Sequence, residues 1–356
     1  MSFQIQLPET GQSFQSGRDE SILTAALRSG VKLPHDCQFG ACGACRVRLL
    51  DGVVEYDEYP MALSPEDEAR GLAIACQARA RSALKIQVEQ IAQPRMEPKR
   101  HSAIIKGMAQ LGPNVTHLTL EIFGEDALDF RPGQYANIVL PDGIARCFSM
   151  ASKPHNRTID FHIRRIPGGH FTDRMLRQLS PGDALDVELP LGTFFWHEAD
   201  DRPLLMVATG TGLAPIRSIL ESLLDNYDCP PVTLYWGART EADLYLHNEI
   251  GAWGDRLCNF NYVPVLSQPD AAWGGRHGYV QQAVLRDFAD LSDYSIYICG
   301  LPDMIRDART AFQQRAASVE HMYADTFHFQ HALKQGISAD ESGTLHSTAL
   351  MQGLEC

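Results

Sequence analysis

The stretch DCQFGACGAC, residues 36–45, carries three closely spaced cysteines that decide how the first part of the chain is interpreted. Cys37, Cys42 and Cys45 follow the pattern C-x4-C-x2-C, and Cys76 stands alone further along the chain. This spacing suits a [2Fe–2S] cluster, whose two irons need four thiolates. Small residues between the cysteines let backbone N–H groups approach the cluster sulfurs. The pattern therefore predicts that these four cysteines bind a [2Fe–2S] cluster.

Two other uses of the cysteines are weaker. A four-cysteine zinc site usually shows paired C-x2-C knuckles, but Cys76 has no second cysteine beside it. A disulfide framework does not suit an odd total of nine cysteines in a chain of this length. The first residues also lack a basic stretch followed by an apolar run, so no export signal is indicated. We therefore expect a cytoplasmic protein in a reducing compartment.

Composition excludes several classes of function. The chain has 356 residues, 44% of them hydrophobic, which is ordinary for a soluble protein. No stretch approaches 18 consecutive apolar residues, so we expect no membrane span. A net charge of −13 argues against binding to the phosphate backbone of a nucleic acid. We expect small cofactors and a protein partner instead.

The hydrophobic pattern changes twice along the chain and indicates a multidomain protein. The cysteine segment combines alternating strands with a helix from Ser21 to Ser29 and ends on another strand. The middle segment alternates apolar and polar residues in five strands around one helix, Thr172 to Leu179, which predicts an antiparallel β-barrel. The last segment alternates buried strands with helices, which predicts a parallel α/β sheet. The predicted boundaries are 1–92, a linker at 93–100, 101–198, 199–330 and a C-terminal tail at 331–356.

The first segment, residues 1–92, resembles a plant-type ferredoxin, because its helix and cysteine loop occur in the same order. This resemblance implies an α+β fold of the β-grasp kind.

A second set of residues lies in the middle segment, where Arg146, Phe148 and Ser149 precede the turn Pro167-Gly168-Gly169. Together and in this order they resemble the flavin domain of the ferredoxin–NADP reductase superfamily. The resemblance implies that the planar guanidinium of Arg146 pairs with the flavin phosphates. It also implies that Phe148 packs on the flavin ring, that Ser149 lies near its N5, and that the next helix binds the pyrophosphate with its first N–H groups. The implied flavin residues are Arg146, Phe148, Ser149, Gly168, Gly169, His170, Phe171 and Thr172, and the implied flavin is FAD.

The third segment opens with an apolar strand, the turn GTG at residues 210–212, and a helical pattern. This is the context of a phosphate-binding turn at the start of a βαβ unit. The form G-T-G-x-A-P, and a Cys-Gly pair at the end of a later strand, resemble the nicotinamide domain of the same superfamily. The implied nicotinamide residues are Thr209, Gly210, Thr211, Gly212, Gly237, Arg239, Asp243, Cys299, Gly300, Pro302 and Met304.

The sequence after Arg239 favours NADH over NADPH. A 2′-phosphate needs basic partners, but Glu241 and Asp243 follow here. Related reductases place an acid and an aromatic residue after the last strand, where this chain has Asp325 and Phe327. The resemblance implies that the reacting centre contains Ser149, Cys299 and Phe327.

The whole chain resembles reductase components of bacterial multicomponent oxygenases, including those of Rieske-type aromatic-ring dioxygenases. The stretches RCFSMAS (146–152), RRIPGGHFTDRM (164–175) and YADTF (323–327) most resemble reductases serving aromatic-carboxylate dioxygenases such as terephthalate dioxygenase. The resemblance implies that NADH reduces FAD and that single electrons then pass through the [2Fe–2S] cluster to a terminal oxygenase. We expect the reductase itself to be a monomer.

Three alternatives stay open at this point. The acceptor could be a soluble di-iron monooxygenase or a dehydratase of deoxysugar biosynthesis. A non-catalytic iron–sulfur redox sensor is a third interpretation, which the flavin and nicotinamide motifs disfavour.

Overall fold

The computed structural model describes residues 2–35, 38, 40, 43–63, 65–88, 97–124, 128–224, 226, 228–257 and 259–327. These residues form three main sheets, one in each of the three segments that the sequence pattern distinguishes. The predicted fold class is confirmed, because an α+β domain is followed by an antiparallel barrel and then by a parallel α/β sheet. Among the described residues, no helix combines the length and the apolar character needed to cross a membrane.

The first sheet has five strands in the order β2-β1-β7-β3-β5, with β1 and β7 parallel. Its helix α1 begins after Ser21, whose hydroxyl accepts a hydrogen bond from the Thr24 N–H at 3.1 Å. This side-chain cap satisfies a backbone donor that the first helical turn leaves without a partner. The elements are β1 Ser2–Leu7, β2 Gln12–Gly17, α1 Ile22–Arg28, β3 Arg46–Asp51, β4 Val54–Glu55, α2 Pro65–Ala69, β5 Leu72–Ile74, β6 Arg79–Ala80 and β7 Leu84–Val88.

The second sheet has six antiparallel strands in the order β11-β10-β13-β8-β9-β12. An isolated bridge between Met150 and Phe161 joins its two edges and closes the barrel. Closure buries one face of every strand and leaves no long open edge. The elements are β8 Lys99–Gly112, β9 Val115–Ile122, β10 Tyr135–Val139, β11 Ala145–Ser149, β12 Thr158–Arg164, a π-helical segment His170–Met175 and β13 Ala184–Leu191.

The barrel differs from the sequence expectation in two places. Strand β8 was not among the five expected strands, and it begins at Lys99, inside the stretch expected to be a linker. Only Ala103 and Ile105 of its 14 residues are fully buried, so its hydrophobic alternation is weak. The helix expected from Thr172 to Leu179 instead spans His170–Met175 and continues as turns, because the Leu176 N–H bonds back to the Phe171 carbonyl.

The third sheet has six strands, all parallel, in the order β17-β16-β15-β14-β18-β19. Parallel order places the carboxyl ends of its central strands on one edge, the usual location of a ligand crevice. The elements are β14 Leu204–Thr209, α3 Leu213–Leu223, β15 Val232–Ala238, α4 His247–Gly251, β16 Phe260–Leu266, β17 Arg276–His277, α5 Val280–Asp287, β18 Ser295–Gly300, α6 Pro302–Gln313 and β19 Met322–Thr326, with 3-10 turns at Glu198–Asp200, Gly210–Gly212, Glu241–Asp243, Ala252–Asp255 and Val319–His321.

Helix α3 attaches the parallel sheet to the barrel. Its Arg217 and Ser218 side chains donate to the carbonyls of Ala151 and Ser152, each at 2.7 Å. Its Glu221 carboxylate accepts the Lys153 backbone N–H at 2.9 Å. These three bonds fix the segment after β11 against the helix that follows the glycine turn of the parallel sheet. The expected flavin and nicotinamide residues are thereby held on adjoining elements.

Candidate functional site

Two of the four expected cluster ligands lie within the described residues, and they come together. Cys45 and Cys76 are both buried, with 2% and 7% of their surface exposed. The backbone N–H of Ala75 donates to the Cys45 carbonyl at 3.0 Å, which extends the pairing of β3 with β5. Cys37 and Cys42 lie outside the described residues. A buried pair of cysteines at the end of a strand ladder suits the donor set of an iron–sulfur cluster.

The described part of the cysteine loop lies close to its neighbours. Gly40 has φ +73°, and a Cβ at this position would lie 2.9 Å from side-chain carbons of both Pro60 and Gln77. The Gln77 amide donates to the Gln38 carbonyl at 3.0 Å, and the Gly40 carbonyl accepts the Ala62 N–H at 2.8 Å. Only glycine combines this backbone conformation with this close approach. Gln38 and Gly40, the described residues between the first two cysteines, are therefore fixed by their contacts with Pro60, Ala62 and Gln77.

The two expected flavin motifs come together in the barrel. Phe148, near the end of β11, and Phe171, in the helical segment, have ring centroids 5.5 Å apart. Arg146 lies two residues before Phe148, so both side chains leave the same face of the strand, while Cys147 is exposed on the other. An aromatic surface, a guanidinium and the start of a helical segment are the groups that a flavin and its phosphates need. The residues present therefore fit FAD.

The turn Pro167-Gly168-Gly169 offers fewer free backbone N–H donors than its sequence suggests. The Gly168 N–H donates to the Asp173 carboxylate at 2.8 Å, and the Gly169 N–H donates to the Ile166 carbonyl at 2.8 Å. A Cβ at Gly169 would lie 2.6 Å from the Thr172 hydroxyl, so this turn has no room for a side chain. The candidate anion-binding donors of this segment are therefore the N–H groups of residues 170–172, since those of Asp173 and Arg174 donate to the Gly169 carbonyl.

The expected nicotinamide residues lie at the carboxyl ends of β14, β15 and β18. A Cβ at Gly212 would overlap the carbonyl oxygen of Cys299 and lie 2.7 Å from its carbonyl carbon. A Cβ at Gly300 would overlap the Thr209 hydroxyl, which is buried and has no hydrogen-bond partner among the described residues. Close backbone contacts around an unsatisfied hydroxyl suit a turn that receives the phosphates or the amide of a dinucleotide. This crevice therefore fits a nicotinamide dinucleotide.

The barrel and the parallel sheet meet at Asp325, 176 residues from its partner Ser149. The Ser149 hydroxyl donates to the Asp325 carboxylate at 3.1 Å, and the Cys299 thiol lies 3.9 Å from the same oxygen. Phe327 is two residues further on, and its N–H donates to the Gly300 carbonyl at 2.9 Å. The three residues expected at the reacting centre therefore lie around one junction between the domains.

Cys299 is held in its neutral form. Its side chain is fully buried, and this burial, together with the Asp325 carboxylate, raises the pKa of the thiol well above its usual range. A protonated thiol is a poor nucleophile, since the thiolate is the reactive form. The Cys299 side chain is therefore a small, uncharged group at the edge of the crevice.

This protonation state predicts selective alkylation. When the holoprotein is treated with iodoacetamide near neutral pH, we expect Cys147, which is exposed, to be modified and Cys299 to stay unmodified. Peptide mass mapping over a time course checks this. Modification of Cys299 at the rate of Cys147 would contradict the assigned burial and pKa.

Some expected nicotinamide residues take structural roles. The Asp243 carboxylate caps its own short turn, because it accepts both the N–H and the hydroxyl of Thr240, at 3.2 and 2.8 Å. Arg239 is partly buried at the end of β15. Pro302 opens α6, a position that suits its fixed φ. The Met304 methyl would lie 2.7 Å from a Cβ at Gly300, so Met304 contacts the crevice directly.

Sequence reasoning missed four residues near the crevice. The Trp236 indole N–H donates to the Gly210 carbonyl at 3.0 Å. The guanidinium of Arg164, on β12, also lies close to Gly210, because its Nη1 would be 3.5 Å from a Cβ at that position. His162 and Tyr245 share a hydrogen bond of 3.2 Å between the barrel and the parallel sheet. Burial lowers the pKa of His162 to about 3, so its ring is neutral. The sequence signals for these residues were the alternate positions of His162 and Arg164 on one strand and the position of Trp236 beside Gly237.

Three family models match the chain, each to one sheet. Residues 5–81 match a 2Fe-2S iron-sulfur cluster binding domain, residues 102–196 an oxidoreductase FAD-binding domain, and residues 206–310 an oxidoreductase NAD-binding domain. The expected cofactors are confirmed at this level.

Relatives match the same architecture over almost their full lengths. The chain is 34% identical over 333 residues to "Terephthalate 1,2-dioxygenase, reductase component 1" of Comamonas sp, covering 92% of this chain and 98% of that protein. It is 32% identical over 331 residues to the CDP-6-deoxy-L-threo-D-glycero-4-hexulose-3-dehydrase reductase of Yersinia pestis, covering 92% and 99%. Among solved structures, the cytochrome P450 reductase GcoB of Amycolatopsis aligns with a TM-score of 0.68 and 30% identity, covering 91% and 98%.

Proposed function

Because the chain belongs to the family of electron-transfer reductases that combine a 2Fe-2S domain, an FAD-binding domain and an NAD-binding domain, we propose that it takes electrons from NADH and delivers them singly to a terminal oxygenase. The junction at Asp325 carries this proposal. It joins Ser149, from the barrel strand that carries the expected flavin residues, to Cys299 at the edge of the nicotinamide crevice. A hydride can pass directly between two cofactors only if their sites adjoin.

When bound, the flavin supplies the conversion between a two-electron hydride from the nicotinamide and the single electrons that the cluster carries. The residues of this chain bind and orient the two cofactors. Arg146 and the N–H groups of residues 170–172 would hold the flavin phosphates, and Phe148 would support the flavin ring. Ser149 keeps its hydroxyl directed to Asp325, which fixes the end of β11. Cys299 excludes water from the crevice with a neutral side chain.

The preferred dinucleotide is NADH. Asp243 is held in the loop after β15 by its bonds to Thr240, and Glu241 precedes it in the same turn. The two carboxylates that follow Arg239 would repel a 2′-phosphate.

The test is an anaerobic titration of the purified holoprotein with NADH. We expect the flavin absorbance to bleach, and we expect NADPH to be less effective by about tenfold or more, because Glu241 and Asp243 repel its 2′-phosphate. A flavin that NADH does not bleach would overturn the proposal and favour an iron–sulfur redox sensor.

We further propose that the acceptor is a Rieske-type aromatic-ring dioxygenase. The similarity to the terephthalate dioxygenase reductase supports this, but the dehydrase reductase of Yersinia pestis is almost as similar. Substrate turnover by a purified Rieske oxygenase, a di-iron hydroxylase and a sugar dehydrase, each supplied with this reductase and NADH, separates the three acceptors. Turnover with the sugar dehydrase alone would contradict the dioxygenase assignment.

A variant at Arg146 tests the flavin site. We expect Arg146→Ala to weaken FAD retention by about tenfold, because a charge-assisted bond to a phosphate is lost. The measurement is the ratio of flavin to protein after gel filtration at several dilutions. Arg100→Ala is the control, since Arg100 lies on the same barrel but pairs with Asp186. Equal flavin retention in both variants would contradict the assignment of Arg146.

A further inference from the structure

A series of side-chain contacts connects the barrel to the turn Gly210–Gly212, and one histidine–tyrosine pair forms its first step. His162, on β12, is 7% exposed, and its Nδ1 lies 3.2 Å from the Tyr245 hydroxyl. Tyr245 follows the short turn Glu241–Asp243 of the parallel-sheet domain, 83 residues further along the chain. The bond therefore joins the two domains that must hold the two ends of the hydride transfer.

The second part of this series of contacts leads from Tyr245 to the turn Gly210–Gly212. The Tyr245 ring meets the fully buried Trp236 edge-to-face, with centroids 5.2 Å apart and an interplanar angle of 86°. The Trp236 indole N–H donates to the Gly210 carbonyl at 3.0 Å. Gly210 has φ +53° and begins the turn Gly210–Gly212. The Trp236 indole therefore contacts both the Tyr245 ring and the turn.

Residues of the barrel pack closely around both His162 and Tyr245. The His162 ring packs edge-to-face on His117 at 5.6 Å, and the His117 Nε2 lies 3.0 Å from the Asp160 carboxylate. At the end of β8, a Cβ on Gly112 would lie 3.0 Å from the Cβ of Tyr245, so the strand end encloses the tyrosine. Neither partner can move far without losing packing.

A second contact reaches the same turn from the same strand. Arg164 lies two residues after His162, so both side chains leave the same face of β12. Its Nη1 is 3.5 Å from where a Cβ of Gly210 would be. Strand β12 therefore contacts the turn directly through Arg164 and indirectly through His162, Tyr245 and Trp236.

We propose that His162 and Tyr245 are positioning residues for dinucleotide binding, because their hydrogen bond fixes the turn Gly210–Gly212 relative to the barrel. The inference rests on the proposed function, since it assigns the crevice to NADH. If the hydrogen bond between His162 and Tyr245 is lost, a buried polar group is left without a partner. This is unfavourable and favours a change in its position.

The test is Tyr245→Phe in the full-length holoprotein, which keeps the ring against Trp236 and removes only the hydroxyl. We expect the KM for NADH and the Kd for NAD+, measured by titration calorimetry, to rise about fivefold, the effect of one ordinary hydrogen bond. We expect kcat for reduction of a dye that accepts electrons from the flavin to stay within about twofold, because the ring and the reacting centre are retained.

The chain offers a matched control in Tyr262→Phe. Tyr262 on β16 shares a 3.1 Å hydrogen bond with the His247 Nδ1, and both residues belong to the parallel-sheet domain, so this bond does not cross to the barrel. We expect this variant to lower Tm as Tyr245→Phe does and to leave KM and Kd unchanged. His162→Asn, which can still reach the hydroxyl, should stay closer to wild type in both constants than His162→Leu.

The outcomes separate the two proposals. If Tyr245→Phe changes Tm but keeps the wild-type KM and Kd, the pair is merely structural and the inference is overturned. If the wild-type holoprotein neither binds NAD+ nor is bleached by NADH, the proposed function itself fails.

Discussion

The Cys76→Ser variant is expected to lose almost all transfer of electrons from NADH to a one-electron protein acceptor such as cytochrome c, while it keeps NADH-dependent reduction of a dye. Cys76 is 7% exposed and follows Ala75, whose N–H fixes the Cys45 carbonyl. Serine supplies a hard, protonated oxygen in place of a thiolate. Loss of a ligand should lower cluster-dependent transfer by about 100-fold or more, since changes outside the ligand set already cost up to about that much.

The dye measurement makes this prediction specific to the cluster. A dye that accepts electrons from the flavin needs only the barrel and the parallel sheet, whose hydrogen bonds to each other through α3 do not involve Cys76. Cys229→Ser is the matched control, because Cys229 is partly buried, contacts the Pro230 carbonyl and lies in the parallel-sheet domain. We expect it to keep both activities and the visible spectrum of the cluster. Loss of dye reduction in Cys76→Ser would contradict the independence of the domains.

The Gly212→Ala variant is expected to lower NADH-dependent dye reduction by about 100-fold, the cost of displacing a reacting group by about 1 Å. An added methyl group would overlap the Cys299 carbonyl, and its nearest contacts are backbone atoms that cannot rotate away. The beginning of α3 would have to move from the end of β18. This movement would open the junction where Cys299 and Ser149 meet Asp325.

Gly251→Ala is the control for this substitution. Gly251 ends α4 in the same domain, and a Cβ there would meet no atom within 4 Å. Alanine is also the better helix former, so we expect no loss of stability. Both variants should retain the flavin, which is measured by absorbance after gel filtration. Wild-type dye reduction by Gly212→Ala would show that the turn does not need its close contact with β18.

Much of the architecture was predictable because it depends on local pattern. Cysteine spacing indicated the first domain, period-two alternation indicated the barrel strands, and an apolar run followed by GTG at residues 210–212 indicated the βαβ unit. The helix expected from Ser21 to Ser29 lies within one residue of α1 at each end, because its apolar residues repeat at helical spacing. Strand β8 was missed because only Ala103 and Ile105 of its residues are fully buried, so little alternation is visible.

Most of the elements, and the residues predicted to bind the cofactors, could be identified from the sequence, because those signals occupy short stretches with fixed spacing. Which elements contact each other became visible in the folded molecule. Asp325 reaches Ser149 across 176 positions, and Tyr245 reaches His162 across 83. These pairings depend on how α3 packs against the barrel and on the order of the parallel strands. Contacts between residues so far apart leave no periodic trace along the chain, since periodicity reports only which face of an element is buried.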